Sequence, residues 1–384
     1  MVFSPLYLLN VMSKHIKILH LFDIGGGVAT SINLITQNTN PDIFQHVVIS
    51  GILKDNNKRK LTNSKVYNLN LDRDINFIHD LQLIPKVLKI CKKENPDLIH
   101  AHSAKGGLVG KIVAFLTSKK CLHTPQAYSF LSTDNTMKRY VYLYIEKLLK
   151  ILPHKILASS DSESKRAMIE LNYSKNRVIT FPNCIKPIME IKKLSIEKDW
   201  PEEYICTVGR PSYQKNIELM IDVINQLKKK LPSIHLVIMG VGYYSPNLES
   251  VNNKINRLEL QSNITLLNWT SREEIFNIVS NSRLYISTAR YEGLPYSVIE
   301  ALALSKAVVL SDADGNRDLV EDGKNGFLIF EENTEDFKQK IMDLLNNEDK
   351  RLAFEEHSKE IFEKHFNIDK TIENLETIYT NESL

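Results

Sequence analysis

The sequence predicts an α/β protein made of two doubly wound parallel sheets, and three observations carry that expectation. Short β-rich runs alternate with helical stretches along the whole chain. The helices fall between the runs in the β, helix, β register of a parallel sheet covered on both faces. The chain has 384 residues, 43% hydrophobic and 25% charged, which is enough for two full cores.

In the first half, strands are expected at 15–22, 46–51, 65–69, 98–102, 121–124, 155–159 and 177–181, with helical patterns at 80–93, 107–116 and 137–152. In the second half, strands are expected at 204–209, 235–240, 264–268, 284–288, 307–311 and 326–330. Helices accompany them at 216–231, 272–280, 295–304 and 334–345. The stretch 186–203 holds two prolines, several charges and no clear period. The boundary is placed there, giving an N-terminal domain over 1–190 and a C-terminal domain over 191–384. The last helical segments, 351–364 and 369–378, have no strand after them and can pack outside or cross back.

Composition excludes disordered, collagen-like and disulfide-scaffold classes. Cys91, Cys121, Cys184 and Cys206 stand far apart, which fits free thiols in a reducing, cytoplasmic setting rather than a zinc ribbon. No run approaches the roughly 18–20 apolar residues of a membrane-spanning helix. The apolar stretch 2–12 lacks a basic lead and a cleavage pattern, so it is not read as a signal peptide, and Met12 is an alternative start. Charge is uneven: residues 1–185 hold 25 Lys and Arg against 13 Asp and Glu, and residues 186–384 hold 24 against 33. A basic first half suits an anionic partner, nucleic acid or membrane surface, and is equally read as a lysine-rich solvated face.

Open α/β sheets bind ligands beyond the carboxyl ends of their strands, so the residues there carry the functional reading. Asp23-Ile24-Gly25-Gly26-Gly27 follows the first strand and heads a helix starting near Ala29; such glycines let backbone N–H groups approach a phosphate or sugar. This is not G-x-G-x-x-G, and no acid closes the next strand, which disfavours a nicotinamide cofactor. His100-Ala101-His102-Ser103-Ala104-Lys105-Gly106-Gly107 ends one strand and opens a helix, with both histidines on one face. No third metal ligand is near in sequence, so packing or hydrogen bonding suits them as well as ligation. In Gly209-Arg210-Pro211-Ser212-Tyr213-Gln214-Lys215-Asn216, two cations beside a helix start form a natural diphosphate clamp, or two solvated bases. In Glu292-Gly293-Leu294-Pro295-Tyr296-Ser297-Val298-Ile299-Glu300, Pro295 suits a first helical position and Glu300 is a charge in an apolar helix. A ribose diol would give that carboxylate partners. Asp312-Ala313-Asp314-Gly315 is a further strand-to-helix turn.

In this order, G-G-G, H-A-H-S-A-K-G-G, G-R-P-S-Y-Q-K-N, E-G-L-P-Y-S-V-I-E and D-G-N-R-D-L-V-E-D-G-K-N-G-F-L, the chain resembles glycosyltransferase family 4 from about residue 15 to 375. Within that family it is most similar to bacterial enzymes of O-antigen, capsule and exopolysaccharide assembly. The resemblance implies a GT-B fold, two Rossmann-like domains facing across a cleft. It implies retaining, metal-independent transfer of a hexosyl unit from a nucleotide-diphosphate sugar, with UDP-sugar expected, to a lipid-linked oligosaccharide. No cofactor is implied, and the nucleotide sugar is a co-substrate. Arg210 and Lys215 would hold the diphosphate, Glu300 the ribose and Glu292 the donor sugar. Gly293 and Leu294 would add amide contacts, Gly26 and Gly27 would approach the donor, and Asn268, beside Trp269, would lie in the base-reading loop. His102, Lys105 and Gln126 would touch the acceptor or the sugar.

Two departures stand out. Gln126 occupies the place of a family histidine that contacts the transferred sugar; it can hydrogen-bond but cannot carry a proton. The family's N-G-I-D is here Asn183-Cys184-Ile185-Lys186. The strings Asp72-Arg73-Asp74 and Asp312-Ala313-Asp314 spell the metal-holding D-x-D of another fold and are read as turns, so no metal site is expected. In and just after the stretch 137–152, Lys138, Arg139, Lys147, Lys150 and Lys155 alternate with Tyr140, Tyr142, Tyr144 and Leu148, which suits an anionic membrane surface or an ordinary amphipathic helix. The expected setting is therefore cytoplasmic, peripheral at the inner membrane face. The rival readings are a nucleotide-sugar epimerase of the same fold and a non-catalytic nucleotide-sugar binder. Nucleic acid is disfavoured by the acidic second half and the lack of a binding motif.

Overall fold

The computed structural model describes residues 15–22, 26–51, 63–69, 77–242, 245–268 and 270–384. Met12, Asp23, Ile24, Gly25, the 72–74 triplet and Trp269 lie outside the described residues. The chain forms two compact units, Met1–Asn183 with Ile368–Leu384, and Cys184–Asn367. The division falls at Asn183/Cys184 rather than at 190/191. The segments that enter and leave the second unit meet there in an isolated bridge: Ile185 N–H donates to Phe366 O at 2.9 Å, and Ile185 pairs with Asn367.

The first unit runs β1 (Ile16–Leu21), α1 (Gly26–Asn38), β2 (Phe44–Gly51), β3 (Ser64–Leu69), α2 (Phe77–Glu94), β4 (Leu98–His102), α3 (Ser103–Thr117), β5 (Lys120–Thr124), α4 (Thr136–Leu149), β6 (Lys155–Ala158), α5 (Asp161–Ile169) and β7 (Val178–Thr180). The second runs β8 (Ile205–Val208), α6 (Ile217–Lys228), β9 (Leu236–Met239), α7 (Leu248–Arg257), β10 (Ile264–Leu267), α8 (Arg272–Asn281), β11 (Tyr285–Ser287), α9 (Tyr296–Ala303), β12 (Val308–Ser311), β13 (Gly326–Ile329), α10 (Thr334–Asn346) and α11 (Glu348–Ile361). A π-helical turn, Phe362–Phe366, then leads into α12 (Ile368–Ser383), which returns to the first unit.

Among the described residues, both sheets are wholly parallel, ordered β3-β2-β1-β4-β5-β6-β7 and β10-β9-β8-β11-β12-β13. Every expected strand is present. Helix α1 opens at Gly26 rather than near Ala29, and α3 opens at Ser103 rather than 107. In the first sheet, Leu19, Leu21, Val47, Ile99 and Ala101 pack with Leu83, Val87 and Val109 of α2 and α3. Its other face sets Ile18, Leu98, Leu122 and Leu157 against Leu375 and Tyr379 of α12. Burial on both faces explains the near-continuous apolar strands.

The strand orders place the sites. In the first sheet, successive crossovers reverse direction between β1 and β4; in the second, between β8 and β11. Helices on either side of such a switch point lie on opposite faces, and a crevice opens at the carboxyl ends of the two central strands.

Candidate functional site

The second unit's switch point is flanked by the residues the sequence singles out. Arg210 stands two residues past β8, and Lys215 lies at the end of the same turn, just before α6. Glu292 lies in the loop between β11 and α9. The loops converge: Lys215 Nζ lies 2.6 Å from Glu292 Oε1, and Gln214 Nε2 donates to Glu292 Oε2 at 2.9 Å. Thr288, just past β11, donates through Oγ1 to Asn216 O at 2.8 Å, tying the two strand ends together. Glu292 N–H donates to Asp314 O at 3.0 Å. Gly315 packs closely here with φ +76°: a Cβ would meet Gly293 O at 2.9 Å, so a side chain would push the 292–294 loop out of place.

Arg210 is half-buried, and its charge opposes the rise that burial imposes on the nearby Tyr291 phenol. Pro295 caps α9 with an extended backbone rather than filling its first helical position, and the helix points the positive end of its dipole into the same loop. Gly293 and Leu294 are buried in that approach. The arrangement gathers two cations and a helix start around one buried carboxylate, which suits binding a dianionic group next to a hydroxylated one.

Glu300 is 8% exposed on α9 and is paired: Arg272 Nη2 lies 2.6 Å from its Oε1. The carboxylate therefore already has a protein partner, to which a ribose diol would add. Arg272, at the start of α8, fixes one oxygen of Glu300. Asn268 directly follows β10, at the sheet edge, and is exposed. Asp312 and Asp314 are both held by Arg317, whose Nε and Nη1 each lie 2.7 Å away, so this D-x-D is an ion-paired turn.

At the first unit's switch point, Gly26 (φ 68°) and Gly27 are exposed at the start of α1. His102 ends β4, and Lys105 lies buried in the first turn of α3. Gln126 follows β5, two residues past Thr124, the register partner of His102. Three non-glycine residues here have left-handed backbones: Ser103 (φ 62°), Gln126 (φ 53°) and Ala127 (φ 77°). Such strain is kept where the surroundings over-determine it, often at ligand sites. Among the described residues, His102 Nδ1, Ser103 Oγ and Gln126 Nε2 are buried polar atoms without a hydrogen-bond partner.

Sequence reasoning missed Glu163, which is 2% exposed on α5. Its carboxylate accepts from Ala127 N–H at 2.8 Å and from Ser159 N–H at 2.7 Å, locking the Gln126 turn to the end of β6. The signal was the Ser160-x-x-Glu163 helix-start pattern, and Ser160 Oγ does accept from Glu163 N–H at 3.0 Å. Arg272 and Gln214 were also missed as partners of the two glutamates.

The chain resembles known proteins over most of its length. Residues 25–187 match Glycosyltransferase Family 4, and residues 189–361 match Glycosyl transferases group 1. The chain is 26% identical over 273 residues to the Escherichia coli UDP-Gal:alpha-D-GlcNAc-diphosphoundecaprenol alpha-1,3-galactosyltransferase, covering 67% of this chain and 69% of that one. It is 23% identical to the capsular polysaccharide biosynthesis glycosyltransferase CapM of Staphylococcus aureus, over 95% of this chain and 97% of the relative. Among solved structures, Anabaena HepE in complex with UDP-glucose superposes with TM-score 0.77 at 18% identity, covering 96% of this chain and 100% of that one. A sucrose-phosphate synthase from Thermosynechococcus elongatus gives TM-score 0.80 at 15% identity, covering 96% and 99%. The fold is thus GT-B.

Proposed function

The chain is a glycosyltransferase of family 4, of the kind bacteria use in surface-polysaccharide assembly, and from that membership we propose the following reaction. A hexosyl unit moves from a UDP-sugar to a lipid-linked oligosaccharide, with retained configuration and without a metal ion. The observation that carries the reading is the convergence of Arg210, Lys215, Glu292 and the start of α9 at the β8/β11 switch point. The names of relatives support the substrates: the E. coli relative is named for UDP-Gal and a diphosphoundecaprenol acceptor, and HepE was solved with UDP-glucose.

In this reading, Arg210 and Lys215 grip the diphosphate, and α9 adds its positive end. As the C1–O bond to the β-phosphate breaks, these groups stabilise the negative charge that develops on the leaving oxygen. Glu292, fixed by Lys215 and Gln214, accepts hydrogen bonds from donor-sugar hydroxyls. Glu300, oriented by Arg272, accepts hydrogen bonds from the ribose hydroxyls. The acceptor hydroxyl attacks from the leaving-group side and passes its proton to the departing phosphate. Gln126 serves as a neutral hydrogen-bonding group.

The acceptor is proposed to lie at an anionic membrane surface. Along α4 and just past it, Met137, Tyr140, Val141, Tyr144, Leu148 and Ile151 form one exposed stripe at helical spacing. Lys138, Arg139, Lys147 and Lys150 border it, as in interfacial helices. Tyr142 faces inward and packs with the Tyr128–Phe130 cluster. No helix among the described residues is long and apolar enough to cross a membrane.

The test is a panel of UDP-, GDP- and ADP-sugars with detergent-solubilised lipid-linked acceptors. A UDP-dependent product with the donor's anomeric configuration is expected. An inverted product, or turnover of donor into an epimer without acceptor, would refute the proposal.

A further inference from the structure

We infer that Thr39, His46 and His20 form a directional hydrogen-bonded chain that leaves Nδ1 of His102 as a standing lone pair, and that this nitrogen accepts a hydrogen bond from a saccharide hydroxyl. The inference rests on the glycosyltransferase reading and makes His20 and His46 positioning residues.

The direction follows from donor counting. Thr39 Oγ1 lies 2.9 Å from Ile35 O, a carbonyl that can only accept, so the hydroxyl proton points there. Thr39 Oγ1 is also 2.7 Å from His46 Nε2, which must then donate. His46 Nδ1 is left as an acceptor, and it lies 3.0 Å from His20 Nε2, which donates in turn. His20 Nδ1 then accepts from His102 Nε2 at 3.1 Å. The last nitrogen, His102 Nδ1, is buried and has no partner among the described residues. Each imidazole must be neutral for this to hold. Burial keeps His20 and His102 well below the ordinary histidine range and holds His46 at about 4.

The opposite polarity is weaker. Thr39 would have to turn its proton from Ile35 O to His46 Nε2, and the chain would end on a buried, unpaired N–H at His102. Losing one hydrogen bond biases the populations by roughly fivefold. A lone pair at this place calls for a donor. Phosphate oxygens accept, whereas a sugar hydroxyl donates, so the site selects a saccharide over an anion. His102 ends β4, next to the switch point, and Ser103 Oγ and Gln126 Nε2 beside it also lack partners. Three neighbouring unpaired groups are what a hydroxyl-rich ligand would complete.

A metal is the competing occupant, since His20, His100 and His102 each offer a nitrogen within 4.8 Å of the others. It would require breaking existing bonds: His20 and His102 hold each other, and His100 is bonded to Tyr379 Oη and Thr124 Oγ1, both at 2.8 Å.

The experiment is long-range ¹H–¹⁵N correlation on full-length, histidine-labelled protein, with His102 assigned by its loss in His102→Gln. The wild type should show His102 protonated on Nε2 and bare on Nδ1. Addition of a UDP-sugar (UDP-glucose, UDP-galactose) or of an octyl glycoside (glucoside, galactoside) should move the Nδ1 signal. A response to the first assigns the donor's glycosyl group, and a response to the second assigns the acceptor. UDP alone should leave the signal in place. Thr39→Val removes the bias, so His102 Nδ1 should become protonated in about half the molecules and kcat/KM should fall about twofold, whereas Thr39→Ser should match the wild type in both. A protonated Nδ1 in the wild type, one zinc per chain by elemental analysis, or UDP binding with no saccharide response would each overturn the inference. Failure of UDP itself to bind would instead strike the glycosyltransferase reading and take the inference with it.

Discussion

Replacing Lys215 by methionine keeps the length of the side chain and deletes its charge, and the structure gives two separate consequences. The first concerns the reaction. A charged hydrogen bond to the leaving phosphate is worth about 1.5–3 kcal/mol, so kcat/KM should fall about ten- to hundredfold. The second concerns the fold. Lys215 Nζ sits 2.6 Å from Glu292 Oε1, with side-chain exposures of 21% and 10%. Removing it leaves that carboxylate with the Gln214 amide at 2.9 Å. An uncompensated, largely buried charge costs several kcal/mol, and residual solvent contact lowers this to about 2 kcal/mol, or about 4–8 °C in Tm for a unit of this size. Adding Glu292→Gln removes the stranded charge, so the double variant should regain thermal stability without regaining activity. Differential scanning calorimetry and a radiolabelled transfer assay read the two effects independently. Full kcat/KM in Lys215→Met with only a lowered Tm would reduce the lysine to a structural partner of Glu292 and refute the clamp.

Three further outcomes are expected. His46 is held at about 4 by burial, against 6.5 when exposed. The unfolded chain therefore takes up this proton first, and stability is full above pH 6.5 and declines as pH falls. By pH 4 this residue alone costs about 3 kcal/mol, and a Tm that stays flat from pH 7 to pH 4.5 would contradict it. Tyr140→Asp with Tyr144→Asp should abolish co-sedimentation with anionic vesicles while leaving Tm unchanged, because both rings are exposed; retained binding would exclude the α4 face. Transfer should persist in excess EDTA, and loss that Mn²⁺ restores would contradict the metal-free reaction.

The strands were legible because both sheet faces are buried, which turns each strand into a dense apolar run such as Leu236–Met239. Helices α5 and α7 were not expected. Each carries few apolar residues: α7 offers Leu248, Val251 and Ile255 in ten positions. Its face became clear only once the sheet was there to receive it. In the candidate site, Arg210, Lys215 and Glu292 were legible as charges just past strand ends, and Glu300 as a charge inside an apolar helix. Their pairings were not. Arg272 meets Glu300 across 28 positions, and only the packing of α8 against α9 brings them together. The histidine chain was further hidden. His100 and His102 share a face by period two, but the entry of His20 and His46 depends on strand register, His20 opposite His100 and His46 opposite Ile18. Parallel strands joined by long crossovers do not declare their register locally.

The most direct measurement is calorimetric titration of UDP and of uridine into the wild type, Arg210→Ala and Glu300→Gln. The account predicts that the wild type binds UDP far more tightly than uridine. Arg210→Ala should narrow that gap by roughly tenfold or more, and Glu300→Gln should weaken both ligands alike. Arg210→Ala binding UDP as tightly as the wild type would contradict a diphosphate grip in the second unit.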